Sequence, residues 1–349
     1  MKLDKKTLSL RIVLIALCAF VAIVCLNKMN EKYDPLARYP YVNDENRQVI
    51  LDHLDEKEID YMITQQIKPD QYLEFINEPE FSIYNTLYYS KAKKTQDASN
   101  EYIVNFINKY KGNFTLESLS TYLSHYSYAD LTAFYENEQV LHQDVHLVQD
   151  PSDPTLILNA HLSVYRYVPA DLISIQDVFV KKDILAGLEA MQKDYAKMME
   201  DEDDLAIETG YLSYEQVLDQ YLKASIIYGQ YVDQYVFSGG EDEQQLGYTV
   251  VLKGGMKWNE LVAQHKAFLE NDYTALEEEL DEKELEKINW IRNNAWRYGF
   301  IVRYPQGKEE QTGHYYQPYL VRYVGRSNAK KMFDENKVME EMKFEEELQ

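Results

Sequence analysis

An α+β fold is what this sequence predicts for its larger part, residues 151–349, from two kinds of segment. Short runs at 155–158, 248–252, 300–304 and 320–323 carry the β-branched and aromatic residues of strands. Between them and after them, 180–199, 211–231, 258–269, 273–297 and 328–347 space their apolar residues as helices do. A small, mainly antiparallel sheet with helices packed around it accommodates both sets. A third observation orders the whole chain. Residues 34–150 read as helix or turn, so the sheet comes after a small all-helical region, itself preceded by an apolar N-terminal run.

The N-terminal run comes first. Lys2, Lys5, Lys6 and Arg11 precede apolar residues 12–26, and Lys28 comes after them. A helix over that run is about 22 Å long, short of the roughly 30 Å of a bilayer core. Residues 8–10 extend it, and Arg11 and Lys28 can snorkel to the headgroups. A secretory signal peptide shares this pattern. No small-x-small cleavage site stands after the run, however, and Cys25 stands after Val24 rather than after the small residue that lipid attachment favours. The expectation is an uncleaved anchor over 1–33 with its basic end in the cytoplasm. The chain is then a single-pass cell-membrane protein with its C-terminal region outside. Cys18 and Cys25 both lie in the run, so the outer region has no cysteine for a disulfide or for thiolate chemistry.

Residues 34–150 form the next expected domain. After an extended lead around Pro35 and Pro40, segments 46–53 and 55–66 place Val49, Ile50, Ile59, Met62 and Ile63 at helical spacing. Residues 102–110 repeat the pattern with Ile103, Val104, Phe106 and Ile107. Thr115 opens another helix leading into Leu119, Tyr122 and Leu123, and 126–135 continues as a further short one. Acidic residues near several starts suit the positive helix end. No catalytic constellation is visible there. His142 and His146 stand four apart, as on one helix face, and read more simply as solvated residues of a polar linker. The turn-rich cluster Asp150, Pro151, Ser152, Asp153, Pro154 marks the expected boundary with the last domain. Within that domain the acidic stretch 200–204 reads as a solvated turn.

Composition limits the function. A formal net charge of -23 over 349 residues opposes nucleic-acid binding, because phosphate backbones recruit Lys and Arg. It also disfavours direct adhesion to anionic headgroups. The 31 tyrosines sit mostly at core-like spacing, so packing is their default role.

One segment carries most of the functional information. Residues 290–325 read WIRNNAWRYGFIVRYPQGKEEQTGHYYQPYLVRYVG. This resembles the C-terminal part of VanY-type D-alanyl-D-alanine carboxypeptidases, zinc peptidases of bacterial cell walls. In that family the segment closes with Glu-Pro-Trp-His before an Arg-Tyr-Val-Gly run; the four positions here are Gln317, Pro318, Tyr319 and Leu320. Upstream, the run from Tyr167 through Val168, Pro169, Ala170 and Asp171 to Leu172 resembles the family's Tyr-Val-Pro-x-Asp-Leu. Thr209, Gly210, Tyr211, Leu212, Ser213 and Tyr214 resemble its Ser-Gly-Tyr-Arg-Ser motif, with Leu212 at the substrate-binding arginine. Glu243 to Val251 resembles Glu-His-x-x-Gly-x-x-x-Asp, with Gln244 at the first histidine ligand and Val251 at the aspartate ligand. The likeness runs from about 154 to 335.

The resemblance implies a scaffold kept while its chemistry is replaced. A catalytic zinc needs three protein ligands and an open position for water. Gln244 is a poor ligand, and Val251 and Leu320 have no lone pair to offer. Gln317, at the general-base position, accepts no proton near neutral pH. Leu212 lacks the guanidinium that grips a carboxylate. Leu212, Ser213, Gln244, Val251 and Tyr319 are then the remnant of a substrate pocket, with no catalytic residue and no zinc. The reading is a membrane-anchored, non-catalytic relative that binds a peptidoglycan stem peptide or an envelope protein. The alternative is a metallo-D,D-carboxypeptidase trimming stem peptides through a relocated metal site, for which His314, Asp242 and Glu243 lie nearest in sequence. A purely structural ectodomain is a third option.

Overall fold

The computed structural model describes residues 5–29, 34–138, 144–199, 205–269 and 272–344. The first element is a helix, Lys5–Met29. Within it Ser9–Lys28 is long and apolar enough to cross a membrane, and none of that stretch is buried. A signal sequence meets the same description.

The chain divides into two compact units, Met1–Leu116 and Glu117–Gln349. The divide thus falls at 116, ahead of the turn cluster at 150. The physical reason lies in the second unit, where 117–150 packs against residues C-terminal to it. The Phe134 ring meets Tyr165, and within the stretch itself Tyr122 and Tyr126 donate their hydroxyls to the carbonyls of Leu147 and Val148, at 3.1 and 2.9 Å. The Tyr126 ring also meets Tyr167. The cluster at 150–154 is itself tied in, with Tyr248 donating to the Ser152 carbonyl at 2.6 Å.

In the first unit the helices Asp44–His53 and Glu56–Thr64 start where side chains satisfy their free N–H groups. Asn43 and Asp55 each accept from the backbone of the first turn, and Asn46 and Glu58 reach back to close the box. The helices Pro69–Tyr72, Thr86–Thr95 and Asn100–Tyr110 come next. Ile50, Ile59, Met62, Ile67 and Tyr72 pack one core cluster. Each such buried side chain contributes about 1.5–3 kcal/mol over its exposed state. Thr86–Thr95, absent from the sequence reading, is half polar. It is held by packing and by Tyr89, whose hydroxyl donates to Asn108 at 2.5 Å.

The second unit centres on a four-stranded antiparallel sheet: β5 (Ile207–Thr209), β6 (Thr249–Leu252), β8 (Gln317–Tyr323) and β7 (Phe300–Tyr304), in that spatial order. A short parallel pair, β1 (His146–Leu147) with β2 (Leu162–Ser163), and a hairpin, β3 (Leu172–Ile175) with β4 (Val178–Lys181), complete the strands among the described residues. Mixed helices and a small, mainly antiparallel sheet make this unit α+β.

Several elements differ from expectation, each for a local reason. Residues 155–158 form no strand, because Arg322 takes the carbonyls of Pro154 and Leu156 at 3.0 and 3.3 Å. The helix expected from 180 begins at 185, as Leu185–Met199, because Val180 and Lys181 belong to β4. The helix expected over 211–231 is Tyr214–Tyr228, capped by Ser213 and ended at Gly229. The long helix expected over 273–297 is broken into Thr274–Glu279 and Glu282–Asn294, where Asp281 caps the second piece. The last helix is Arg326–Glu335, ended by Asn336 in the left-handed conformation. His146 lies in a strand, while His142 and the acidic stretch 200–204 fall outside the described residues.

Candidate functional site

The two central strands build one wall of a cavity of about 200 Å³. Side chains on a strand alternate between faces. Val251 pairs with Leu320 and Thr249 with Arg322, so these four share a face. Opposite Gln317 the β7–β8 register shifts, and Gln317 joins Leu320 on the cavity wall. The second wall is the turn Glu243–Leu246. Asp242 caps it, accepting from the Gln244 N–H at 2.7 Å. Gly247 ends it at φ 75°, a left-handed conformation open to glycine, and a Cβ there would crowd Lys181. Tyr235, Phe237, Tyr304 and His314 close the remaining side.

Gln244, Val251, Gln317 and Leu320 therefore line one cavity, although 76 positions separate the first from the last. Leu212 and Ser213 are not on its wall. Ser213 is spent as a helix cap, accepting from the Gln216 N–H at 3.3 Å, and Leu212 is buried beside it. Tyr319 points to the other face of β8, as alternation requires. Its hydroxyl donates to Glu284 at 2.5 Å, its ring faces the Lys287 ammonium, and it lines a small adjacent cavity.

Beneath the cavity lies a buried ion cluster. Arg303 forks onto Glu243 with two bonds of 2.8 Å and onto Glu340 with bonds of 2.7 and 3.1 Å. Arg322 stands 3.8 Å from the same Glu243 carboxylate. Burial alone would raise the Glu243 pKa, but Arg303 and Arg322 hold it below the usual carboxylate range. Asp242 keeps some exposure at the cavity wall, yet burial of its carboxyl pushes its pKa up to about 6, with Glu243 adding to the rise. His314 is only 3% exposed. It stacks on Tyr304 at 4.2 Å and meets Phe237 edge-on at 4.1 Å. Burial, reinforced by Arg303, pushes its pKa down to about 3, so the ring is neutral.

The donor set does not suit a zinc ion. Among the described residues no three of His, Cys, Asp and Glu gather into a group able to hold a metal. Both Glu243 oxygens are engaged by Arg303. The Gln244 amide donates to Thr209 Oγ1 and to the Gly210 carbonyl, both at 3.0 Å. The Gln317 amide donates to the Tyr235 carbonyl at 3.2 Å. Three ligands with an open fourth position are what a catalytic zinc requires, and the residues present do not supply them.

Sequence reasoning pointed to the Gln244, Val251, Gln317 and Leu320 positions and to His314 and Asp242 nearby. It missed the aromatic side formed by Tyr235, Phe237 and Tyr304. In a chain with 31 tyrosines and 12 phenylalanines, these three aromatic residues carry no local signal.

A sheet of this kind with a cavity on its central strands is the setting in which the family enters. Residues 177–326 match the model of the VanY family, D-alanyl-D-alanine carboxypeptidase. The match spans 150 of the 349 residues and takes in the turn Glu243–Leu246 and the strands β6, β7 and β8. A protein of Bacillus subtilis (strain 168) named as a carboxypeptidase, YodJ, is 29% identical over 208 residues, which are 56% of this chain and 68% of the relative. A D-alanyl-D-alanine carboxypeptidase of Enterococcus faecium is 52% identical over 52 residues, which are 15% of this chain and 17% of that protein. Among solved structures, that of the LdcB LD-carboxypeptidase, described as revealing the molecular basis of peptidoglycan recognition, is similar at 26% identity. It covers 56% of this chain and 88% of its own, with a TM-score of 0.44.

Proposed function

We propose that this chain is a membrane-anchored, non-catalytic member of the carboxypeptidase family, holding its larger unit outside the cell and using the cavity to bind rather than cut. Its ligand is a peptidoglycan stem peptide or the matching segment of an envelope protein. One observation carries the reading. The positions that resemble two metal ligands, a third ligand and the general base are Gln244, Val251, Leu320 and Gln317, and these four side chains line a single cavity. Four replacements at scattered places in a protein would be ordinary drift; four around one cavity change its chemistry together. Such a site cannot lower the pKa of a bound water, which is how the metal of a peptidase makes its nucleophile. The family match supports the peptide-binding side of the reading, since the relatives named for their activity are carboxypeptidases.

The test uses the full chain in detergent micelles, supplied with zinc. The expected result is no D-alanine released from a peptide ending in D-Ala-D-Ala, and less than one zinc per chain by elemental analysis. Chelator-sensitive release that disappears in His314→Ala would establish a relocated metal site and overturn the proposal. Gln244→His, Val251→Asp and Leu320→His together should restore near-stoichiometric zinc. Any one alone should not, because metal ligands act as a unit.

A further inference from the structure

The cavity has a polarity that the loss of catalysis does not explain. His314 is buried with both ring nitrogens unpartnered, and it lines the cavity. Buried polar atoms are nearly always paired. A neutral imidazole presents one N–H and one lone pair. Gln244 and Gln317 add acceptors. Their amide N–H groups are directed at the carbonyls of Gly210 and Tyr235, which fixes the amides' orientation. The two side-chain carbonyl oxygens are then left without a donor among the described residues. Asp242 adds a carboxylate on the same wall. It is the surplus charge of the cluster. Glu243, Glu340 and Asp242 are three carboxylates against the two guanidiniums of Arg303 and Arg322. Among the described residues neither Lys nor Arg lines the cavity.

A ligand carboxylate would therefore meet acceptors and a like charge. An ammonium brings three donors and no acceptor, which is what this wall lacks. The opposite side is closed by the rings of Tyr235, Phe237 and Tyr304. The Tyr304 ring is already covered by His314 and Arg303, and the Tyr235 ring by Tyr228 and Tyr315, so this side adds an apolar boundary that strengthens the charge contact rather than a cation–π partner. We propose that the cavity binds a primary ammonium group, gripped by Asp242, the side-chain oxygens of Gln244 and Gln317, and His314. The inference rests on the reading that the site binds and does not cut. It reverses the charge of the ligand that a carboxypeptidase grips. The ammonium belongs either to a chain end or to a lysine-type side chain, two sources of one chemistry.

The experiment titrates three small probes into the full chain in detergent micelles and tracks heat or amide chemical shifts. Alanine methylamide carries only an α-ammonium, Nα-acetyl-lysine methylamide only a side-chain ammonium, and acetyl-D-Ala-D-Ala only a carboxylate. Saturable binding of one ammonium probe, with none of the acid, is expected, and the probe that binds identifies the source. Asp242→Asn should weaken it by at least about tenfold, as loss of a buried charge partner does. Gln317→Met, which keeps length but removes an acceptor, should weaken it less and guards against a folding defect in the first variant. Binding of the acid probe alone overturns the ammonium assignment. So does binding of no probe, which leaves the cavity to water. Neither result revives catalysis, which only D-alanine release can do.

Discussion

His314 and Asp242 face the same cavity with displaced pKa values, and they make folding depend on pH in opposite senses. His314 has its pKa pushed down to about 3 by burial. Its unfolded form, near the ordinary 6.5, takes up a proton that the folded ring refuses. That contribution to stability is complete above 6.5 and is lost as pH falls toward 3. Asp242, pushed up to about 6, behaves in reverse. The folded carboxyl keeps a proton that the unfolded one releases near 3.8, so its contribution is complete below 3.8 and lost as pH rises through about 6. Each slope reaches at most about 1.4 kcal/mol per pH unit, and the two oppose one another between about 4 and 6. His314→Phe should therefore flatten the loss of stability in acid, and Asp242→Asn should steepen it. Urea midpoints at pH 4, 5, 6 and 7 measure both, and three parallel profiles would refute the assignment. The same residues show what was readable beforehand. Gln244, Val251, Gln317 and Leu320 could be placed because sequence motifs flank them. The displacement of Tyr319 to the far face is a consequence of strand alternation once the strand is known to start at Gln317 rather than at 320. Leu212 could not be placed at all, since Ser213 beside it serves as a cap and turns the chain into a helix.

At the scale of elements, legibility tracked how local the cause was. β7 and the Asp44–His53 helix carry their own signals, β-branched and aromatic residues in one and a capping box in the other. The β3–β4 hairpin turns at Gln176 and Asp177, both at positive φ, without the Asn-Gly or Asp-Gly pair that usually announces such a turn. Residues 155–158 lose their expected strand to a guanidinium more than 160 positions away, which no local pattern can reveal. Gly187 shows the same dependence inside a helix. A Cβ there would lie 2.5 Å from the Tyr298 carbonyl oxygen and 3.3 Å from the Phe300 ring. Gly→Ala in a helix ordinarily stabilises by up to about 1 kcal/mol. Here the contact is backbone and cannot rotate away, so Gly187→Ala should destabilise by about 1–3 kcal/mol, the range for overpacking. Gly112→Ala, with nothing within 4 Å, is the control and should be neutral or slightly stabilising. Equal thermal midpoints for the two variants would mean that the Leu185–Met199 helix does not press on the segment before β7.

For the whole molecule, the proposed anchor raises the question of which side of a membrane the larger unit occupies. The first helix has 25 residues, a length of about 38 Å, enough to cross a hydrocarbon core of roughly 30 Å. None of its apolar stretch is buried, so nothing among the described residues shelters it from water. Exposing such a stretch to water is costly at about 25 cal/mol per Å² of apolar surface, which is the physical ground for the proposed anchor. Charge sets the direction. Lys2, Lys5, Lys6 and Arg11 stand before the apolar run against Lys28 and Lys32 close behind it, and on the proposed reading this bias keeps the leading end cytoplasmic. On the same reading, the acidic balance behind the whole chain's formal net charge of -23 keeps the outer region soluble and repels it from anionic headgroups. On the proposed reading, protease added to intact cells should digest everything after about residue 33 and leave a small N-terminal fragment in the membrane. The same treatment after permeabilisation should shorten that fragment by no more than its basic leading end. A soluble exported form beginning just after residue 26 would show instead that the helix is a cleaved signal. That outcome would remove the anchor while leaving the cavity and its ammonium specificity open to the same tests.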